Sequence, residues 1–280
     1  MSTLPPPVRV LQAAELQQVL NTNPADCVLL QITSAELFDQ VRLPGAQLVT
    51  PAELVDGTPP ATGKLPSLAR LQALFGRLGV DPATASDKTI VVFDDEGGGW
   101  AGRMGWTLDV VGITQWVYLD GGMHGWQAAG LGFESGAPAS RDPSAVSLTL
   151  DTSPIAEMAD VMASLDDPQQ VVWDVRSHEE YIGTRQAAQR VGHIPGAVNL
   201  DWLHLKDPQT QMLPDDLQAL LTHLGIADKR IITHCQTHHR SGLSYMVGRI
   251  LGLDIRAYHG SWSEWGNHPE TPIELPQGDA

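Results

Sequence analysis

Basic residues are scarce in this sequence: 17 Lys and Arg stand against 33 Asp and Glu, a formal net charge of −16. A surface so acidic repels phosphate backbones, which argues against general nucleic-acid binding and still leaves room for a small cationic pocket. Cysteine is scarcer still. Two in 280 residues cannot build a disulfide framework, so stability has to come from apolar cores. No window reaches the roughly 18 consecutive apolar residues that a membrane-spanning helix needs. The opening stretch "MSTLPPPVRVLQAAELQQVL" has neither a basic leader nor a continuous apolar run, so a cytoplasmic chain without membrane contact is expected.

What is present suits globular folding. With 42% hydrophobic residues and a length of 280, the chain is long enough for two cores of ordinary domain size. Self-similarity supports that division. "LLQITSAELF" (29 to 38) matches "VVWDVRSHEEY" (171 to 181), each a buried-strand pattern running into an acidic helix start. "RLPGAQLV" (42 to 49) matches "GHIPGAVNL" (192 to 200) through a shared Pro-Gly-Ala turn. "TIVVFDDEGGGWAGRMGW" (89 to 106) matches "RIITHCQTHHRSGLSY" (230 to 245), and "YLDGGMHGW" matches "YHGSWSEW" at an offset of 139 to 140 residues. One duplicated domain explains the order and the offset.

Between the copies, "FESGAPASRDPSAVS" (133 to 147) is rich in Ser, Ala, Gly and Pro and reads as a linker. The expected boundaries are therefore a first domain over 1–136, a linker over 137–150 and a second domain over 151–280. Within each copy short apolar runs alternate with helical segments such as "LARLQALFGRLGV" and "DDLQALLTHLGI". That alternation predicts an α/β fold built twice, each copy a central, mainly parallel sheet with helices on both faces and its functional loops at strand C-termini.

The two cysteines differ in setting. Cys27, in "DCVLLQI", reads as a buried strand cysteine acting as a small hydrophobe. Cys235 instead ends the apolar run "RIIT" and opens a polar, partly cationic loop before the helical pattern "SGLSYMVGRILGL", with Leu243, Met246, Val247 and Ile250 on one face. A strand–loop–helix junction aims backbone N–H groups and the positive end of a helix dipole at one point. Such a cradle, with Arg240 and the charge of His238 or His239 when protonated, favours a thiolate and so a nucleophile.

Three chemistries fit a thiolate there: phosphate-ester hydrolysis, sulfur transfer through a persulfide, and acyl transfer by a Cys–His pair. Tyrosine and dual-specificity phosphatases place five residues between Cys and Arg, a ring wide enough for tetrahedral phosphate. Here Gln236, Thr237, His238 and His239 leave four, and the smaller ring suits a single added sulfur atom. His238 and His239 lie on the loop itself, which permits a general base without arguing for one.

"GHIPGAVN" (192 to 199), "CQTHHR" (235 to 240) and "GSWSEW" (260 to 265) together resemble the rhodanese, or thiosulfate sulfurtransferase, family in its tandem-domain form. The resemblance implies a catalytic second domain and an inactive first one, often with an acidic residue in place of the nucleophile. Asp95 aligns with Cys235, and "DDEGGGW" offers no nucleophile. It further implies that Cys235 takes sulfane sulfur from a small donor and passes it to a thiophilic acceptor, cyanide or a thiol, with no metal or organic cofactor. A carrier role with a protein as sulfur acceptor is the rival reading. The mercaptopyruvate-using branch carries Cys-Gly-[Ser/Thr]-Gly-Val, which "CQTHHR" does not match. Two domains already supply a closed cleft, so a monomer is expected.

The remaining candidates surround this loop. Gln236, Thr237, His238, His239 and Arg240 form it, with Arg240 expected to fix loop carbonyls or a neighbouring carboxylate. His238 and His239 are expected to face the loop mouth. Asp174 and Arg176 in "WDVRS" are read as supports of the strand end and its turn, and Glu180 as an acidic group that would oppose a dianionic donor. His193 reads as a hydrogen-bonded turn residue, and Trp262 and Trp265 as core or interdomain packing.

Overall fold

A computed structural model describes residues 4–136 and 142–275. The first sheet is formed by β1 (Arg9–Leu11), β2 (Cys27–Ile32), β3 (Gln47–Val49), β4 (Thr89–Asp94) and β5 (Trp116–Leu119). Its helices are α1 (Ala13–Thr22), α2 (Ala35–Gln40), α3 (Leu68–Leu78), α4 (Gly99–Val110) and α5 (Gly122–Ala128). The second sheet is formed by β6 (Ile155–Ala156), β7 (Gln170–Asp174), β8 (Val198–Asn199), β9 (Arg230–His234) and β10 (Ile255–Tyr258). Its helices are α6 (Met158–Ser164), α7 (His178–Tyr181), α8 (Leu217–His223), α9 (Arg240–Ile250) and α10 (Ser261–Trp265).

Both sheets are wholly parallel and share one topology, β1-β5-β4-β2-β3 and β6-β10-β9-β7-β8. The α/β fold expected from the repeat is thus present twice. Each central strand is apolar on both faces: Ile90, Val91, Val92 and Phe93 are all buried in β4, as are Ile231 and Ile232 in β9. Strands of this kind need cover on both sides, which parallel crossovers through helices provide. Local chemistry sets the helix ends. Ser34, Ser67 and Ser177 accept from the first-turn amides of α2, α3 and α7, and Gly79 closes α3 in the left-handed conformation at φ 64°.

The apolar core falls into three bodies. One lies on the outer face of the first sheet around Leu29, Phe38 and Trp126, and another on the outer face of the second around Ile232, Trp262 and Trp265. The tryptophans of "GSWSEW" therefore belong to a domain core. The third and largest is shared: Met104 and Trp106 of α4 and Leu243, Met246 and Val247 of α9 sit in one continuous cluster between the sheets. Gly102 and Gly242 mark the crossing, where a Cβ on Gly102 would lie 2.0 Å from the Gly242 carbonyl oxygen. Almost all of α9, not one face of it, is buried.

Polar ties reinforce the seam. The buried Asp109 carboxylate of α4 accepts from Tyr245 at 2.7 Å, from Trp116 at 3.0 Å and from Arg249. Trp106 Nε1 donates to the Pro154 carbonyl at 3.0 Å. Of the expected linker, residues 137–141 lie outside the described residues. Val146 and Leu148 further along it are buried against the shared core.

Cys27 corrects one expectation. It opens β2 and is only partly buried, because a strand's first residue lies at the sheet's rim. Partial burial and the neighbouring Asp26 push its thiol pKa up, the direction that quietens a cysteine.

Candidate functional site

β9 ends at His234, and Cys235 begins the loop into α9, at the C-terminal edge of the second sheet where β9 runs between β7 and β10. The thiol is 1% exposed. The loop is pinned by "GSWSEW": Trp262 N–H donates to the Cys235 carbonyl and Ser263 N–H to the Gln236 carbonyl, both at 2.9 Å. Cys235 N–H donates to Ser261 Oγ at 3.4 Å. Ser261 takes φ 54°, a left-handed backbone that costs a non-glycine residue roughly 1 kcal/mol, and this places its hydroxyl under the loop.

Arg240 opens α9 and forks onto Glu180, Nη1 to Oε2 at 2.6 Å and Nη2 to Oε1 at 3.0 Å. Glu180 also closes the capping box of α7 with Ser177. The acidic side chain is therefore neutralised by Arg240 and does not stand free against a donor, which corrects the sequence expectation. Burial raises the Glu180 pKa, but the Arg240 hydrogen bond and charge and the Ser177 amide outweigh it and hold the carboxyl below its ordinary range.

Ser241 is the one residue among those described whose hydroxyl donates to Cys235 Sγ, at 3.5 Å. Burial pushes the thiol up. Arg240's charge, the Ser241 hydroxyl and amide, and His239 together exceed that effect and leave the pKa below the ordinary thiol value. A lowered thiol pKa raises the share of thiolate, the form that nucleophilic chemistry requires.

The two histidines do not both face the mouth. His238, at φ 56°, turns inward and is fully buried, its ring edge-on to Trp106 at 4.7 Å between centroids. His239 stays partly exposed, stacked on Trp100 at 4.4 Å and bonded to Glu96. Gln236 donates to the Ala187 carbonyl at 2.8 Å, and Thr237 lies under Gly63, where an added Cβ would come 1.8 Å from the Thr237 carbonyl oxygen.

Asp174 and Arg176 pair with each other behind the loop. Arg176 Nη2 reaches Asp174 Oδ2 at 2.6 Å and the Gly192 carbonyl at 2.8 Å, with its guanidinium 4.2 Å from the centre of the Trp262 ring. Burial raises the Asp174 pKa, and His234 and Arg176 more than reverse it. His193 accepts the structural reading, with Nδ1 2.9 Å from the Tyr181 carbonyl and its ring stacked on Tyr181.

The first domain supplies the far wall, and sequence reasoning did not single out those residues. Arg103 of α4, fully buried, donates to the carbonyls of Gly63 at 2.7 Å and Leu54 at 2.6 Å, and at 3.5 Å to that of His238. Burial lowers its pKa to about 9, opposed by the charge of Cys235. Residues 63–65 form a strap over the loop, tied by Lys64 to Glu264 at 2.7 Å and by Leu65 N–H to His259 Nδ1 at 3.1 Å.

The equivalent loop of the first domain is already filled. Asp94, at the end of β4, turns its carboxylate into the loop: Oδ1 accepts from Gly97 at 3.0 Å and Gly98 at 2.8 Å, and Oδ2 from Ala101 at 2.9 Å. The sequence alignment put Asp95 opposite Cys235, yet it is Asp94, opposite His234, that occupies the nest. Burial, then Glu96, raise the Asp94 pKa to about 6 against the pull of those amides.

Two parallel α/β domains joined through a shared helical core, with one loop closed by its own carboxylate and the other presenting a thiol, define a tandem-domain protein with a single cysteine loop. The Rhodanese-like domain family matches twice, over residues 12–129 and 157–268, and the chain belongs to that family. It is 44% identical over 253 residues to the thiosulfate sulfurtransferase of Pseudomonas aeruginosa, covering 89% of this chain and 92% of that protein. It is 31% identical to the sulfur carrier protein TtuD of Thermus thermophilus, covering 85% and 86%. Among solved structures, that of YnjE superposes with a TM-score of 0.84 at 21% identity, over 96% of this chain and 68% of that one, a likeness of fold.

Proposed function

We propose that this chain is a sulfurtransferase that moves sulfane sulfur from thiosulfate, or a chemically similar donor, through a Cys235 persulfide to cyanide or a thiol. The observation that carries this reading is the Cys235 thiol itself, held below its ordinary pKa at the start of α9 by Arg240, Ser241 and His239. Likeness at 44% identity to a thiosulfate sulfurtransferase supports the donor class.

The chemistry balances in two steps. The Cys235 thiolate attacks the outer sulfur of thiosulfate; a sulfur–sulfur bond forms at Sγ, the old one breaks, and its electron pair leaves with sulfite. The acceptor then attacks the terminal sulfur, and the bond to Sγ breaks to restore the thiolate. The negative charge stays at one place throughout, so a fixed set of donors and cations serves both half-reactions. Separate half-reactions give ping-pong kinetics. Gln236, Thr237 and His239 shape the loop, Arg240 supplies charge, and Asp174, Arg176 and Glu180 hold the loop from behind. The donor and acceptor are small molecules met in the cytoplasm.

Intact mass after thiosulfate treatment tests the reading: wild type gains about 32 Da, one sulfur atom, and Cys235→Ser gains none. A wild type without that gain overturns it. The similarity to a sulfur carrier protein favours a second reading, delivery of the persulfide to a protein thiol. Stoichiometric loading without thiosulfate:cyanide turnover would select it.

A further inference from the structure

Ser241 lies in the first turn of α9, fully buried, with Oγ placed to donate to Cys235 Sγ at 3.5 Å. The same oxygen is 2.8 Å from His238 Nδ1. A serine hydroxyl has a single proton. When that proton points at sulfur, the bond to the ring has to run the other way, with Nδ1–H donating to Oγ. His238 is then the neutral tautomer with a bare Nε2.

The surroundings agree with this assignment. His238 Nε2 is buried and has no partner among the described residues, a position that costs a bare acceptor less than it would a second N–H cation. Burial, then the charges of Arg103, His259 and His239, push the His238 pKa well below the ordinary imidazole value. The ring lies T-shaped to Trp106, 4.7 Å between centroids, and Arg103 donates to the His238 carbonyl at 3.5 Å.

We propose that His238 is a positioning residue: it donates Nδ1–H to Ser241 Oγ and so keeps the Ser241 hydroxyl proton directed at the Cys235 sulfur. Thiolate and persulfide are then stabilised by an oriented hydrogen bond as well as by charge. The inference rests on Cys235 being the nucleophile, as proposed above. The charged and titratable groups facing the sulfur are Arg240 and His239 from its own loop and α9, and Arg103 from α4. All of them remain when the relay is cut.

The test is the rate of Cys235 alkylation by iodoacetamide across pH, on the full chain and without any sulfur donor. Ser241→Ala is expected to slow alkylation below the thiol pKa by about tenfold, the worth of one hydrogen bond to a charged group. His238→Ala is expected to shift the profile the same way. His238→Asn, whose amide can donate and which accepts a left-handed backbone, is expected to return the rate to within about twofold of wild type. An unmoved profile in His238→Ala, or an Asn variant as slow as Ala, overturns the relay.

A measurement on wild type alone guards against variants that fail to fold. Long-range 1H–15N NMR of the His238 ring is expected to show the proton on Nδ1, and a proton on Nε2 overturns the proposal. Absence of sulfur loading by mass would remove the sulfur-transfer reading and leave the alkylation profile and the ring tautomer as they are, so the two failures are distinguishable.

Discussion

Gly102 of α4 and Gly242 of α9 meet backbone to backbone where the two domains join, 140 positions apart in the sequence and equivalent in the repeat. A Cβ on Gly242 would lie 2.3 Å from the Gly99 carbonyl oxygen and 2.5 Å from the Arg103 amide nitrogen. No side chain fits that space, so the crossing fixes how near Arg103 comes to the Cys235 loop.

Gly242→Ala is accordingly expected to destabilise the chain by about 1–3 kcal/mol, the usual cost of overpacking, read from urea unfolding. Thiosulfate:cyanide turnover should fall more than a surface glycine substitution would cause, since Arg240 lies two residues upstream on the same helix.

Gly63→Ala tests the strap. An added Cβ would overlap the Thr237 carbonyl oxygen at 1.8 Å, so the strap has to lift from the loop. Cys235, 1% exposed in the closed arrangement, is expected to react faster with a bulky disulfide reagent, while the urea midpoint drops. Unchanged thiol accessibility would show that the strap does not control entry.

Glu180→Gln separates stability from thiol chemistry. Breaking a buried ion pair costs up to about 3–5 kcal/mol, and the low end applies here because the Arg240 side chain is 19% exposed. The thiol should move the other way. With its countercharge gone, Arg240 acts on Cys235 undiluted, and the alkylation profile shifts to lower pH.

Asp94 makes a prediction about pH. Its folded pKa of about 6 lies above the usual carboxylate value, so between about pH 4 and pH 6 the folded chain holds a proton that the unfolded chain has lost. Unfolding releases that proton, and stability falls as pH rises through the window. Asp94→Asn should flatten that slope in urea midpoints measured from pH 4 to 6.

The fold was legible because each central strand is β-branched and apolar and because the same order of motifs occurs twice. Cys235 was legible from its position between "RIIT" and a cationic loop. The opposing wall was not, for a physical reason: Arg103, Trp106 and Glu96 stand in the other copy, whose matching loop has no cysteine, and the packing of α4 on α9 brings them across. Ser241 carried a faint signal, a small hydroxyl in the first turn after Arg240. The inward turn of His238 carried none, because a positive φ at a histidine is set by what surrounds it, here Trp106 and Arg103.

The Asp94 carboxylate in the first loop has a consequence for stoichiometry. Its three short amide contacts leave no open anion nest in that domain, and Cys27, the other thiol, lies at the opposite end of β2 from the loops. Sulfur loaded per chain should therefore plateau at a single equivalent however much donor is supplied, and each turnover has to empty Cys235 before the next begins.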